Sequence, residues 1–337
     1  MPSTLTVRDL SVDFFTRNGV LRALDRVSFE IGRGEILGLV GESGAGKSMV
    51  GSALIGLVPS PGRVTSGSVD LSGTRIDELE DDAMRLVRGK RIGMIFQDPM
   101  TSLNPLVRIG DQLVETILTH LDLPKAQAKA RAIELLAETG IPEPSRRIDS
   151  YPHEFSGGMR QRVVIALALA GEPELIIADE PTTALDVSVQ AQIIALIEQL
   201  CLKRRTSVLL ITHDMGVIAR AAHRVAVMYA GCIIEKGTAS DVVKRPLHPY
   251  TRGLMSAIPP LKTRPHRLTQ IGGSMPRLGD IPPGCAFYPR CSEAMPLCRE
   301  LVPRMRSGNH REVACHLYDG NPGEELHLVA GNDAVRY

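Results

Sequence analysis

The sequence predicts an α/β fold carrying a mostly helical insertion, and three observations predict it. Short apolar runs at residues 35–40, 175–178 and 208–212 have the length and continuity of strands buried on both faces. The first of them runs straight into GESGAGKS, Gly41 to Ser48, and then into a helix-forming stretch at residues 49–57. From residue 109 to 140 the apolar positions change to helical spacing: Leu113, Ile117 and Leu121, then Ala130, Ile133, Leu136 and Ala137.

The bulk numbers exclude several classes. A chain of 337 residues is long enough for about two domains with a self-sufficient core. Hydrophobic content of 43% and charged content of 23% are ordinary for a globular protein. A net charge of +1 lacks the basic excess that marks a nucleic-acid surface. The N-terminal MPSTLTVRDL does not have the basic-then-apolar order of a signal peptide. No segment approaches the ~20 apolar residues of a membrane span, and the longest, residues 163–170, reads as a buried helix. The expected setting is intracellular, where the six cysteines remain thiols.

Taken in order, residues 5–15 alternate as a strand, Arg17-Asn18-Gly19 turns it, and residues 21–31 form a second strand. Phe14 closes the first strand, where it either stacks on a base or packs in the core. Next come the apolar strand and the glycine-rich turn, the setting that the G-x-x-x-x-G-K-[ST] pattern requires. Gly41, Gly44 and Gly46 reach backbone angles closed to other residues. The loop's N–H groups and the positive helix end can then surround a polyphosphate. Gly41, Ser43, Gly44, Ala45, Gly46, Lys47, Ser48 and Met49 are the expected nucleotide cradle, with Lys47 on the phosphates and Ser48 on Mg²⁺. Residues 69–71 and 91–96 read as further strands, the second ending at Gln97 before Asp98-Pro99.

The helical insertion ends in a proline-rich loop at residues 141–152. Ser156-Gly157-Gly158 then opens a helix, either as a second anion-binding end or as a plain N-cap. The run Leu175 to Ala178 delivers Asp179 and Glu180 to the C-terminal edge of a parallel sheet, where ligands bind. Two carboxylates there can divide the work, Asp179 in the Mg²⁺ shell and Glu180 on the attacking water. A further apolar strand ends at His213, residues 224–229 close the sheet, and residues 231–235 make a hairpin.

In this order the elements resemble the nucleotide-binding subunits of ATP-binding-cassette (ABC) transporters. The resemblance rests on GESGAGKS, Gln97, FSGGM, LIIADE, Ala184-Leu185-Asp186 and His213, and covers residues 5–236. It implies a P-loop, RecA-like α/β cassette at residues 1–240, with an antiparallel β subdomain and a helical subdomain inserted at about residues 98–160. It implies that Lys47 and Ser48 hold phosphate and Mg²⁺, and that Gln97 senses metal, water and transport domain. Asp179 becomes the Mg²⁺ partner, Glu180 the general base, His213 the γ-phosphate switch and Phe14 the base-stacking aromatic. Ser156, Gly157 and Gly158 serve ATP held by the opposite subunit, and Asp186 communicates across that interface. Phe155 and Met159 depart from the family's usual Leu and Gln, while the Ser-Gly-Gly donor core is intact.

After Gly237 the chain becomes rich in Pro, Arg and Gly. HPYTRGLMSAIP, His248 to Pro259, resembles the segment following the cassette in oligopeptide and dipeptide importers. The spacing Cys285-x5-Cys291-x6-Cys298-x16-Cys315 suggests a metal centre, and by itself leaves zinc and iron–sulfur open. In the resembling family some members carry a [4Fe–4S] cluster there, so a cluster on Cys285, Cys291, Cys298 and Cys315 is expected, with Zn²⁺ the alternative and His316 a substitute ligand. Cys201 and Cys232 read as inert.

The expected function is ATP-driven import of di- or oligopeptides, from the cytoplasmic face of a bacterial inner membrane. The resemblance implies a second ATPase, a paralogue docked head to tail, two transmembrane permease subunits and an external substrate-binding protein, with no nucleic acid. Close relatives carry nickel complexes, glutathione or other small solutes instead. The rival from another class is a soluble mechanochemical cassette on DNA or ribosomes. Those relatives commonly carry a long coiled coil or two cassettes, and neither appears here.

Overall fold

The computed structural model describes residues 3–183, 185–257 and 270–320. Strands β1 (Ser3–Thr16) and β2 (Gly19–Gly32) form a long antiparallel hairpin. Strand β3 (Ile36–Val40), buried throughout, precedes the glycine-rich loop and helix α1 (Lys47–Leu54). Strands β4 (Gly62–Leu71) and β5 (Thr74–Arg75) complete a four-stranded antiparallel sheet in the order β2-β1-β4-β5. Helix α2 (Asp81–Val87) leads to β6 (Ile92–Ile95).

The chain then leaves the sheets for α3 (Pro99–Ser102), α4 (Ile109–His120), α5 (Lys125–Glu138), α6 (Pro144–Arg147) and α7 (Gly157–Leu169). Strand and helix alternate through β7 (Leu175–Asp179), α8 (Val187–Arg204), β8 (Ser207–Thr212), α9 (Met215–Ala221) and β9 (Arg224–Tyr229). After the antiparallel β10 (Cys232–Thr238) come α10 (Ala239–Lys244) and α11 (Pro249–Ser256). The extension adds α12 (Leu297–Glu300) and a hairpin of β11 (Arg306–Gly308) and β12 (Arg311–Val313).

The main sheet has eight strands in the order β11-β12-β10-β9-β3-β8-β7-β6. The five from β9 to β6 are parallel. Alternation along each parallel strand divides the core in two. Ile36 and Val40 of β3 face the helical side with Val163, Ile193 and Ile218. Leu37 and Leu39 face α1 and the antiparallel sheet, with Val50, Leu54, Leu10 and Leu24. Both faces are apolar because both are covered, as parallel sheets require.

In the insertion, α4 buries Leu113 and Ile117 as the spacing predicts. Of the expected Ala130, Ile133, Leu136 and Ala137, helix α5 fully buries only Leu136, and its other buried residues are Ala128, Ala132 and Leu135. Pro124 stands at the N-cap of α5, so that helix starts afresh and its stripe does not continue the phase of α4. The proline-rich stretch at residues 141–152 contains the one-turn α6.

The extension is tied into the main sheet. Glu235 of β10 pairs with Val313 of β12, and Lys236 with Glu312. The Glu235 carboxylate, fully buried, accepts from the Arg311 guanidinium at 2.8 Å and from the Leu247 and His248 N–H groups, each at 2.9 Å. His248 caps α11, its Nδ1 accepting the Tyr250 N–H at 3.0 Å, and burial pushes its pKa down to about 3.

A histidine with a folded pKa below its unfolded value costs nothing above about pH 6.5 and drains stability as pH falls toward the folded value. At full effect the slope is about 1.4 kcal/mol per pH unit. His248→Asn keeps an acceptor at the cap and should remove this contribution. Denaturant unfolding near pH 7 and near pH 5 should show a stability loss smaller by about 2 kcal/mol in the variant than in the parent.

Candidate active site

The site is assembled at the C-terminal ends of four neighbouring parallel strands. Strand β3 delivers the loop of residues 41–48, β8 delivers His213, β7 delivers Asp179 and Glu180, and β6 leads to Gln97. Gly44 and Gly46 take φ of +84° and +100°, angles that L side chains avoid, and this wraps the loop onto the start of α1. The turn is closed by the Ala45 N–H on the Glu42 carbonyl at 3.2 Å. Ala45 is buried, Ser43 and Gly44 are exposed, and Met49 packs against the core beneath.

Lys47 is only 5% exposed. Its Nζ donates to the Gly41 carbonyl at 2.8 Å and the Glu42 carbonyl at 3.0 Å. Burial lowers its pKa, against the opposing pull of Glu180, Asp179 and Glu42. One residue on, the Ser48 hydroxyl donates to Asp179 Oδ1 at 3.0 Å. Burial raises the Asp179 carboxyl despite that bond. A hydroxyl and a carboxylate oxygen side by side are the hard donors that Mg²⁺ takes alongside phosphate oxygens, so Ser48 and Asp179 fit that ion.

Glu180 is the focus of the polar network. His213 Nδ1 lies 3.1 Å from Oε1, while Gln97 Nε2 and Thr183 Oγ1 donate to Oε2 at 3.1 and 3.0 Å. Burial alone would raise this carboxyl, but the bonds from His213 and Thr183 outweigh it and hold its pKa below the usual range. Its φ is +46°, a left-handed backbone uncommon for this residue type and typical of functional sites. Thr183 carried no motif in the sequence; its only signal is a hydroxyl three residues beyond an acid at a strand end.

Ser156 and Gly157 are exposed at the start of α7, and Ser156 caps that helix by accepting the Met159 N–H at 3.4 Å. Methyl groups built on Gly157 and Gly158 would lie 3.7 Å from Leu185 and 2.7 Å from Val189. The Ser-Gly-Gly end and the exposed Asp186 therefore share one surface, and among the described residues no hydrogen bond joins either to residues 41–48. Ala184 lies outside the described residues. Phe155 is buried in the core, which explains why a large apolar residue serves in place of Leu. Phe14 is half-buried against the core, and its neighbour Phe15 is the exposed aromatic, with Arg63 over its ring.

Phosphate-loop lysine, hydroxyl–carboxylate pair and strand-end glutamate together define a nucleoside-triphosphatase of the cassette type. Residues 24–183 match the ABC transporter family, and residues 234–298 match the oligopeptide/dipeptide transporter C-terminal region. The chain belongs to the ABC transporter ATP-binding family and is an ATP hydrolase coupled to transport. It is 47% identical over 323 residues to the dipeptide transport ATP-binding protein of Haemophilus influenzae, covering 95% of this chain and 98% of that one. To the dipeptide transport ATP-binding protein of Bacillus subtilis it is 46% identical, covering 99% of each. Among solved structures, a dimeric ATP-binding cassette in a post-hydrolysis state with ADP and Pi superposes with a TM-score of 0.63 at 28% identity, over 70% of this chain and 98% of that one.

The expected [4Fe–4S] cluster is overturned. Among the described residues no group of three or more His, Cys, Asp or Glu side chains is arranged to hold a metal ion, which removes the zinc alternative as well. The relatives' names describe ATP-binding proteins only. Of the four thiols, Cys315 packs with Leu247 and Val313, Cys285 and Cys291 lie against the main core, and Cys298 is buried on α12. Burial raises the Cys285 and Cys291 thiols and pushes Cys315 up to about 12. His316 is not a free ligand either, since Nδ1 meets Asp319 at 2.5 Å and Nε2 meets the Leu301 carbonyl at 2.9 Å. The segment from His248 runs into α11, and its last residues, Ile258 and Pro259, lie outside the described residues.

A methyl on Gly46 would lie 3.0 Å from Leu24 Cδ2 at a φ that penalises any side chain. Gly46→Ala should therefore destabilise the nucleotide-free chain by about 1–3 kcal/mol, the scale of a strained backbone position, as read by denaturant unfolding.

Proposed function

We propose that this chain is the ATP-hydrolysing subunit of an importer of dipeptides or oligopeptides, working at the cytoplasmic face of a membrane. The carrying observation is the Glu180 carboxylate, held ionised by His213 and Thr183, beside the Lys47 cradle and the Ser48–Asp179 pair. The cargo class is supported by the printed functions of the relatives and by the matched C-terminal region. Among the described residues no helix is long and apolar enough to cross a membrane, so the translocation path belongs to other subunits.

In this reading Lys47 neutralises the β- and γ-phosphates of ATP after leaving the Gly41 and Glu42 carbonyls. Ser48 and Asp179 would hold Mg²⁺, which would supply positive charge against the phosphates. Glu180 accepts a hydrogen bond from the attacking water and orients it in line with the γ-phosphate, while Gln97 and His213 fix the carboxylate and sense the γ-phosphate. Phe14 faces the base. The exposed Ser156–Gly158 helix end and Asp186 lie on a surface of their own, which supports their acting on ATP held by a second cassette, head to tail. We take that second cassette to be a paralogue, with two permease subunits and an external binding protein completing the assembly. Residues 1–240 then form the cassette and residues 241–337 the extension. The near-neutral charge gives the nucleic-acid reading no support.

Glu180→Gln keeps the size of the side chain and removes the base. ATP hydrolysis should fall ~10²-fold or more while Mg·ATP binding persists. A turnover assay beside an equilibrium binding titration checks this, and near-normal turnover would take Glu180 out of the role.

A further inference from the structure

The C-terminal extension reaches into the phosphate loop, and it does so at one residue. Glu42 is the second residue of GESGAGKS, and each of its polar groups is engaged. Its N–H donates to the Tyr250 hydroxyl at 2.8 Å. Its carboxylate takes both arms of the Arg290 guanidinium, at 2.7 Å and 3.0 Å. Its carbonyl accepts from Lys47 Nζ at 3.0 Å. Tyr250 and Arg290 both lie beyond the cassette strands, so the lysine and the extension meet through a single peptide.

Arg290 is built into its place. Its side chain is 5% exposed. Nε donates to the Gly272 carbonyl at 2.8 Å, and Nη1 also reaches the Tyr229 hydroxyl at 3.4 Å. The guanidinium carbon lies 5.8 Å from the Tyr229 ring centre and 5.9 Å from that of Phe287. Those rings pack edge-on against each other and against Tyr250. A second contact runs alongside, since a methyl on Gly44 would lie 3.8 Å from Met275 Cγ of the extension. A planar, bidentate fork fixed by stacking sets both position and orientation of the carboxylate it grips, which a flexible ammonium does not.

We propose that Arg290 is a positioning residue for nucleotide binding: through Glu42 it sets the loop conformation in which Lys47 meets the phosphates, so the extension tunes the affinity of the cassette for Mg·ATP. The proposal rests on the reading that residues 41–48 cradle ATP. Lys47 contacts the phosphates before and during hydrolysis alike, so misplacing it removes uniform binding. Affinity then changes more than the rate at saturation.

The test uses the full chain, with Mg·ATP titrated to equilibrium and hydrolysis measured at saturating ATP. Arg290→Gln should weaken binding about tenfold, with the saturated rate within about twofold of the parent. In a Glu42→Gln background the same change should add less than about twofold, because the partner is already gone. Arg290→Lys should fall between, keeping the charge and losing the fork. An unchanged affinity in Arg290→Gln, or an equal loss in both backgrounds, would overturn the proposal. Should Arg290→Gln fail to fold, Glu42→Gln alone decides: weakened binding with a melting temperature near the parent's supports it, and parental affinity overturns it. Lys47→Ala separates the two levels. Loss of binding there with none in Arg290→Gln defeats only the coupling, whereas retained binding defeats the cradle and the coupling together.

Discussion

A cation taken out of water is the constraint on which the rest of the site depends. Lys47 sits buried at the start of α1, where desolvation works against its charge. Glu180, Asp179 and Glu42 around it pull the other way, and two loop carbonyls accept hydrogen bonds from Nζ. Those carboxylates in turn need the hydroxyls, amide and imidazole that reach them. Remove the lysine and the acids repel each other; remove the acids and the lysine is stranded. These groups form a closed electrostatic set in the nucleotide-free chain, and in the proposed reading Lys47 exchanges its two loop carbonyls for phosphate oxygens.

The parallel sheet explains how residues so distant in sequence form that set. Neighbouring strands β3, β8, β7 and β6 all end at the same edge, so whatever follows each strand is brought within reach of the others. The Ser-Gly-Gly helix end belongs to the inserted helices, and it faces outward with Leu185 and Val189. In the proposed reading, one chain carries two halves of different sites on two surfaces. A second cassette would complete such a chain, and the solved cassette that it resembles at a TM-score of 0.63 is dimeric.

Much of this was legible in the sequence because it is local. A buried strand of five residues, a lysine after three glycines and a carboxylate pair after an apolar run are each written within a dozen residues. Most strand limits moved by only a residue or two, as β1 at Ser3–Thr16 shows against an expected 5–15, whereas β4 starts at Gly62 against an expected start at residue 69. The phase of α5 was not legible, since Pro124 restarts the helix and alanine reads alike on either face. The cysteines misled for a similar reason. Their spacing marks a cluster in the chain, but among the described residues the fold arranges no group of side chains to hold a metal ion. Glu42 with Arg290 has no signature at all, because 248 residues separate them and only the folded extension brings them together.

The pairing of β12 with β10 has a consequence for how the protein is made. Glu235 waits for Val313, 78 positions later in the chain (313 − 235), before the flank of the main sheet is sealed. At synthesis speeds of about 5–20 residues per second, a nascent cassette spends roughly 4–16 s with that flank bare and with the Glu235 carboxylate lacking its guanidinium. During that interval β10 is an adhesive margin, able to recruit a foreign strand. The charged pair that later locks the hairpin is also what makes the bare margin poor at burying itself prematurely.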